Sequence, residues 1–233
     1  MNYAVLFAGG VGSRMGNETV PKQFMEVGGK PVLIHTIEAF EKSPLVDGIS
    51  VVCLESWIPF LREAIQSAGL KKVRWIVPGA QTGQQSIYHG LKAVWDQSET
   101  PSEDIVLISD GVRPFVSCEL IEKCVRTVRE KGSVVTICPV PETIVMVPEE
   151  EGRITDIPLR SQCYLSKAPQ GFFLREIMDA HHRAIGENRF DCTNSAELMR
   201  RYGHSLYTVV DSPNNIKITT PIDLRIMEAL LEG

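Results

Sequence analysis

The chain has 233 residues, 43% of them hydrophobic and 23% charged, enough for one large domain with a sizeable core. Its net charge of −5 argues against the basic surface that duplex nucleic acid requires, but not against a local cationic pocket for a small anion. No apolar run approaches the roughly 20 residues that span a bilayer, and no leader-like segment precedes the first strand, so the expectation is a cytoplasmic protein that binds neither membrane nor nucleic acid.

Taken in chain order, strands and helices alternate. Residues 3–7 predict a strand that runs into a glycine-rich turn. Pro31 opens a helix through Phe40, since proline suits the first helical position. Then follow a strand at 48–54, a helix at 57–68, a strand at 73–77, a helix at 86–95, a strand at 105–108, a helix at 118–130 and a strand at 134–140. Near-continuous apolar strands separated by helices predict a three-layer α/β/α sandwich around a mainly parallel sheet, with the ligand crevice at the strands' carboxyl ends.

After Pro139 the pattern changes to a stretch rich in Pro, Glu and Asp that lasts to about Pro169. Two β-branched pieces, 143–147 and 153–157, joined by Pro148–Gly152, predict a projecting hairpin. Helices at 174–185 and 195–201, a strand at 206–210 and a helix at 223–231 complete a single domain over 1–233, with an arm at about 139–162. The six cysteines show no Cys-x-x-Cys spacing and read as reduced, core-filling side chains. His181 and His182 read as an exposed helix face.

Three groups of residues point to chemistry. The turn Ala8-Gly9-Gly10-Val11-Gly12-Ser13-Arg14-Met15-Gly16 lets backbone N–H groups approach phosphates. It is not a dinucleotide fingerprint, because Met15 stands where the third glycine belongs, and no Gly-Lys-Ser/Thr follows. The cations Arg14 and Lys22 beside it suit a triphosphate attacked at its α-phosphorus. Asp110 follows an apolar strand, where it either holds Mg²⁺ beside the phosphate turn or caps the next helix. Lys217 lies between Ile216 and Ile218 and should point opposite to them, which by itself suits a solvent face. Thr193 reads equally well as a helix cap or a ligand contact.

The loop from Ala8 to Met15, followed by Pro21-Lys22-Gln23-Phe24, resembles the signature of the nucleotidyltransferases that make NDP-sugars and CDP-alcohols. Within them it is most similar to the branch holding the 2-C-methyl-D-erythritol 4-phosphate and ribitol-5-phosphate cytidylyltransferases. The likeness continues at Ser109–Phe115, Thr155–Arg160, Ala168–Phe172 and Asn215–Leu224, and the last segments look more like the ribitol-5-phosphate members.

The resemblance implies a homodimeric enzyme that transfers CMP from CTP to a polyol phosphate, D-ribitol 5-phosphate foremost, with Mg²⁺ as cofactor and pyrophosphate released. It implies that Ala8, Gly9, Gly10, Gly12, Gly79, Ser86 and Gly111 hold the nucleotide, that Arg14, Lys22 and Lys217 are catalytic, and that Asp110 binds the metal while Arg113 braces its loop. Lys217, Thr193 and, across the dimer, Thr143 and Arg160 would hold the acceptor. Three positions depart from the family pattern: Gly83 replaces an arginine near the nucleotide, and Ala168 and Asn194 replace a threonine and an aspartate on the acceptor side. The nearest rival is a methylerythritol phosphate acceptor, and a rival of another class is a non-catalytic nucleotide-binding protein.

Overall fold

In the computed structural model, which describes residues 1–9, 20–148 and 152–232, β1 (Asn2–Ala8) runs through the middle of the molecule. Its alternation separates two cores. Ala4, Leu6 and Ala8 face one apolar cluster, while Tyr3, Val5 and Phe7 face the other. On the first face pack α1 (Val32–Glu41), α2 (Ile58–Ser67) and α4 (Cys118–Lys131). On the second pack α3 (Gly83–Trp95), α5 (Leu174–Gly186) and α6 (Ser195–Arg201). The expected three layers are present.

Two residues of β2 (Glu26–Val27) pair with β3 (Lys30–Pro31) in a small separate hairpin, which the sequence reading missed. The main sheet adds β4 (Gly48–Cys53), β5 (Val73–Pro78), β6 (Ile105–Asp110), β7 (Ser133–Pro139), β8 (Tyr164–Phe173) and β9 (Leu206–Val210). Its order is β5-β4-β1-β6-β8-β7-β9. Every pairing is parallel except those of β8, which is antiparallel to both β6 and β7.

The chain builds outward from β1 through β4 to β5, then crosses back to lay β6 on the other side of β1. Strand order therefore reverses at β1/β6, and a crevice opens at their carboxyl ends. Phe7 and Asp110 are partners in that register.

β8 is a strand that the sequence reading did not expect. The chain returns to the sheet at Tyr164, not after Pro169, because Pro139 pairs with Tyr164 and Cys138 with Leu165. The arm is thus the long connection between two antiparallel neighbours. Within it Met146 and Asp156 form an isolated antiparallel bridge, with Met146 N–H donating to Asp156 O at 2.9 Å. Its apolar side chains are uncovered: Met146, Ile157 and Leu159 are 53%, 58% and 66% exposed.

The last helix, α7 (Pro221–Glu232), sends Met227 into a small cluster with Val27, Val32, Val112 and Ile218. All six cysteines are free, as expected, but only Cys53, Cys124, Cys138 and Cys192 are buried; Cys118 is exposed and Cys163 half-buried, against the core-filling expectation. Burial pushes the Cys53 and Cys124 thiols up to about 12 and about 11. Among the described residues no helix is long and apolar enough to cross a membrane.

Candidate active site

At the crevice β1 ends in Ala8, whose carbonyl accepts from Gln23 Nε2 at 2.7 Å. This bond ties the strand end to Lys22–Phe24, a turn of 3-10 helix, and so keeps the Lys22 backbone near the end of β1. Gly10, Gly12 and Arg14 lie outside the described residues.

The other expected nucleotide residues do converge. A Cβ on Gly9 would stand 3.4 Å from Ser86 Oγ and 3.6 Å from Gly79 Cα, so these three share one wall. Ser86 Oγ donates to Thr82 O at 2.9 Å and accepts from Ala80 N–H at 2.9 Å, which shapes the turn into α3. Thr82 caps that helix in a reciprocal box with Gln85. Gly83 is the first residue of α3, and a side chain there would meet nothing within 4 Å. Gly111 needs its missing side chain for a different reason: a Cβ would lie 2.8 Å from Ala8 Cβ and 3.0 Å from Leu33 Cδ1.

Asp110 is the last residue of β6 and is 6% exposed. Its carboxylate receives Arg113 Nε at 2.7 Å and Lys217 Nζ at 2.6 Å. Burial alone would raise its pKa, but the Lys217 ammonium and the Arg113 guanidinium outweigh burial and hold the carboxyl below the usual range. Arg113 braces the loop as expected, since its Nη1 donates to Asn215 O at 3.0 Å. Asp110 does not cap the next helix; Ser117 does, accepting from Leu120 N–H at 3.1 Å.

Lys217 is not on a strand, contrary to the sequence reading, and it does not point to open solvent. Ile216 and Ile218 pack toward the cluster around Met227, and the ammonium turns the opposite way, onto Asp110.

Asp110, Arg113, Lys217 and Thr193 line a cleft of about 250 Å³ together with Phe7, Lys167 and Ser195. Thr193 lines the cleft but does not cap α6. Asn194 caps that helix, accepting from Glu197 N–H at 3.0 Å, while Thr193 Oγ1 donates to Glu197 Oε2 at 2.8 Å. Thr143 and Arg160 are both exposed on the arm and do not line this cleft.

The sequence reading missed Lys167, Gln170 and Asn215 as organising residues. Gln170, 6% exposed, accepts from Ala196 N–H at 2.9 Å and donates to Ser166 Oγ. Asn215, 1% exposed, donates to Ala168 O and Asp211 Oδ2, both at 2.7 Å. Gln170 and Asn215 stand inside segments that carry the resemblance and Lys167 directly precedes one, and that was the available signal.

His181 corrects another expectation, for it is 2% exposed and not part of a surface face. It continues the stripe Leu174, Ile177, Met178, His181, Ala184 by which α5 packs. Burial and the neighbouring His182 push its pKa down to about 4, and among the described residues its Nε2 has no hydrogen-bond partner. His182 is exposed, as expected.

Among the described residues no three His, Cys, Asp or Glu side chains gather to cage a metal. Asp110 nonetheless presents hard oxygen donors at the cleft. Mg²⁺ characteristically takes one or two carboxylates and completes its shell with water and substrate phosphate oxygens, so this donor set fits a metal shared with a nucleotide rather than a protein-only site. Among the described residues its lining carries three cations and one carboxylate, a positive balance that suits an anion.

Comparison with known proteins agrees with this geometry. The family model described as IspD, 2-C-methyl-D-erythritol 4-phosphate cytidylyltransferase, matches residues 2–233. The chain is 43% identical over 232 residues to the ribitol-5-phosphate cytidylyltransferase of Vibrio parahaemolyticus, covering 100% of this chain and 96% of the relative. It is 40% identical over 231 residues to the 2-C-methyl-D-erythritol 4-phosphate cytidylyltransferase of Geobacter metallireducens, covering 99% and 97%. The crystal structure of 4-diphosphocytidyl-2C-methyl-D-erythritol synthase from Anaerococcus prevotii superposes with a TM-score of 0.84 at 27% identity, over 100% of this chain and 96% of that one.

Proposed function

The chain belongs to the 2-C-methyl-D-erythritol 4-phosphate cytidylyltransferase family, and we propose that it transfers CMP from CTP to D-ribitol 5-phosphate, forming CDP-ribitol and pyrophosphate. The observation that carries this reading is the cationic cleft at the carboxyl ends of β1 and β6, where Lys217, Arg113 and Asp110 meet. The choice of acceptor rests on the 43% identity to the Vibrio relative.

In the reaction an oxygen of the acceptor phosphate forms a bond to the α-phosphorus of CTP. The bond from that phosphorus to the oxygen bridging to the β-phosphate breaks, and pyrophosphate leaves with the electron pair. A phosphate monoester is already a nucleophile near neutral pH, so no side chain has to remove a proton. Gly9, Gly79 and Ser86 form one wall of the nucleotide site. Lys22, with Arg14, neutralises charge on the triphosphate and the departing pyrophosphate. Mg²⁺ held by Asp110 supplies further neutralisation of phosphate charge when bound. Lys217 exchanges its carboxylate partner for the acceptor phosphate and holds it for in-line attack.

The arm completes the site from a second subunit in this reading. A hairpin held by an isolated bridge with uncovered apolar residues packs on something, and a two-fold related copy is the simplest partner. Arg160 and Thr143 would then reach the partner's acceptor phosphate. The same reading puts the enzyme in the cytosol.

The 40% identity to the Geobacter relative keeps methylerythritol phosphate as a second acceptor. Pyrophosphate release from CTP, measured over a panel of acceptor phosphates, tests both. Turnover with ribitol 5-phosphate well above that with methylerythritol phosphate supports the proposal; the reverse order replaces the acceptor. Release with no acceptor in the panel would leave a nucleotide-binding protein.

A further inference from the structure

The segment that delivers Lys217 has no strand of its own, because residues 211–220 form neither ladder nor helix. Its backbone is therefore fixed by hydrogen bonds outside any ladder, made with backbone and side-chain partners alike. At one end Ile218 N–H donates to Val112 O at 2.9 Å. At the other end several interactions meet at Asn215. Its amide donates to Ala168 O, and its carbonyl accepts from Arg113 Nη1 at 3.0 Å and from Lys167 Nζ at 3.0 Å.

Lys167 does more than share that carbonyl. Its ammonium also donates to Ser212 O and Pro213 O, each at 3.2 Å. An ammonium has three donors, so all three have backbone carbonyls of one turn as partners. The route to that turn is set by β8. Opposite β7 the register slips, and residues 167–169 of β8 stand against Thr136 alone, between the pairs Val135 with Gln170 and Ile137 with Ser166. Such a bulge re-aims the side chains within it. Lys167 lines the cleft, yet its donors face away from any ligand and toward the turn. Burial and the nearby Arg113 press its ammonium toward neutrality, and the three carbonyls offset that.

We infer that Lys167 is a positioning residue: it clamps the Ser212–Asn215 turn and thereby fixes the reach of Lys217 into the cleft. The inference deepens the proposed function, since it rests on Lys217 being the cation for the acceptor phosphate. Met at this position would keep most of the apolar stem but leave the three carbonyls without a donor. Arginine would retain both charge and donors.

The test uses Lys167→Met, Lys167→Arg and Lys217→Met in the full-length protein, with circular dichroism and thermal melting to confirm folding. Lys167→Met should raise KM for ribitol 5-phosphate about tenfold and leave KM for CTP within about twofold, because sub-ångström misplacement remote from the chemistry costs up to about 10²-fold. Lys167→Arg should restore most of that loss. In the Lys217→Met background, Lys167→Met should add little, because a residue that acts through another is strongly non-additive with it. An undiminished effect in that background, or equal effects on both substrates, overturns the inference.

A readout without substrate separates this inference from the proposed function. Amide hydrogen exchange at residues 212–217 should speed up about tenfold or more in Lys167→Met, with the strands of the sheet unchanged. Unchanged exchange in that segment refutes the clamp whatever the enzyme's activity. Faster exchange in a protein that turns over no polyol phosphate upholds the clamp and sinks the functional reading instead.

Discussion

Lys217 Nζ lies 2.6 Å from Asp110 Oδ1, and the second oxygen of the same carboxylate takes Arg113 Nε at 2.7 Å. One buried anion therefore holds two cations of unequal exposure. The Arg113 side chain is 8% exposed, whereas that of Lys217 is 39% exposed, and both line the cleft. On the proposed reading an arriving phosphate competes chiefly for Lys217.

Asp110→Asn should for that reason fail in two ways. Mg²⁺-dependent turnover should be lost, because a neutral amide is a poor ligand for a hard cation. Stability should also fall by about 3 kcal/mol, since removing one partner leaves a buried guanidinium uncompensated. A Mg²⁺ titration of activity and a denaturant melt check the two parts. Unchanged metal half-saturation would place the metal elsewhere.

Lys22→Ala and Arg14→Ala should each lower kcat by about 10²–10³, the usual loss for a donor that stabilises transition-state charge. Both variants should keep the wild-type fold by circular dichroism. Near-normal turnover in both would remove these cations from the triphosphate site.

The arm prediction concerns subunit sharing. Inactive Arg160→Ala subunits mixed with inactive Lys22→Ala subunits should regain activity in heterodimers, up to about half that of the wild-type dimer, because one of the two sites then holds both residues intact. Heterodimers that form and stay inactive would show that each subunit works alone.

His181 sets a pH dependence with a definite sign. Its folded pKa, about 4, lies below the ordinary value of 6.5, so the unfolded chain binds the extra proton more readily. The contribution is fully present above about pH 6.5 and is lost as pH falls toward 4, with a limit on the order of 3 kcal/mol. Denaturant midpoints measured from pH 7.5 to 4 should fall over that window in the wild type. The fall should be smaller in His181→Met, which cannot take up the proton. Parallel curves would show that other groups govern acid stability.

Much of this protein was legible in its residues. The apolar run of β1, the alternation of strands with helices and the Pro and Glu-rich arm follow from local composition and patterning, which need no knowledge of the rest of the chain. The order of motifs, from the glycine turn to Asn215–Leu224, was likewise sufficient to identify the family. Periodicity could not reveal β8, because Lys167, Pro169 and Gly171 read locally as strand breakers.

Only the packed sheet explains those residues. Pro169 sits in the bulge, where no ladder bond is asked of it, and a Cβ on Gly171 would come 2.8 Å from Val134 Cγ1 and 2.9 Å from Val128 Cγ2. Likewise no spacing in the sequence says that Lys217 meets Asp110, or that Lys167 clamps the turn between them. Those partners are distant in sequence, and their contacts exist only because the antiparallel return of β8 brings the turn after β9 alongside the end of β6. Local sequence decides which elements form; long-range packing decides which charges meet.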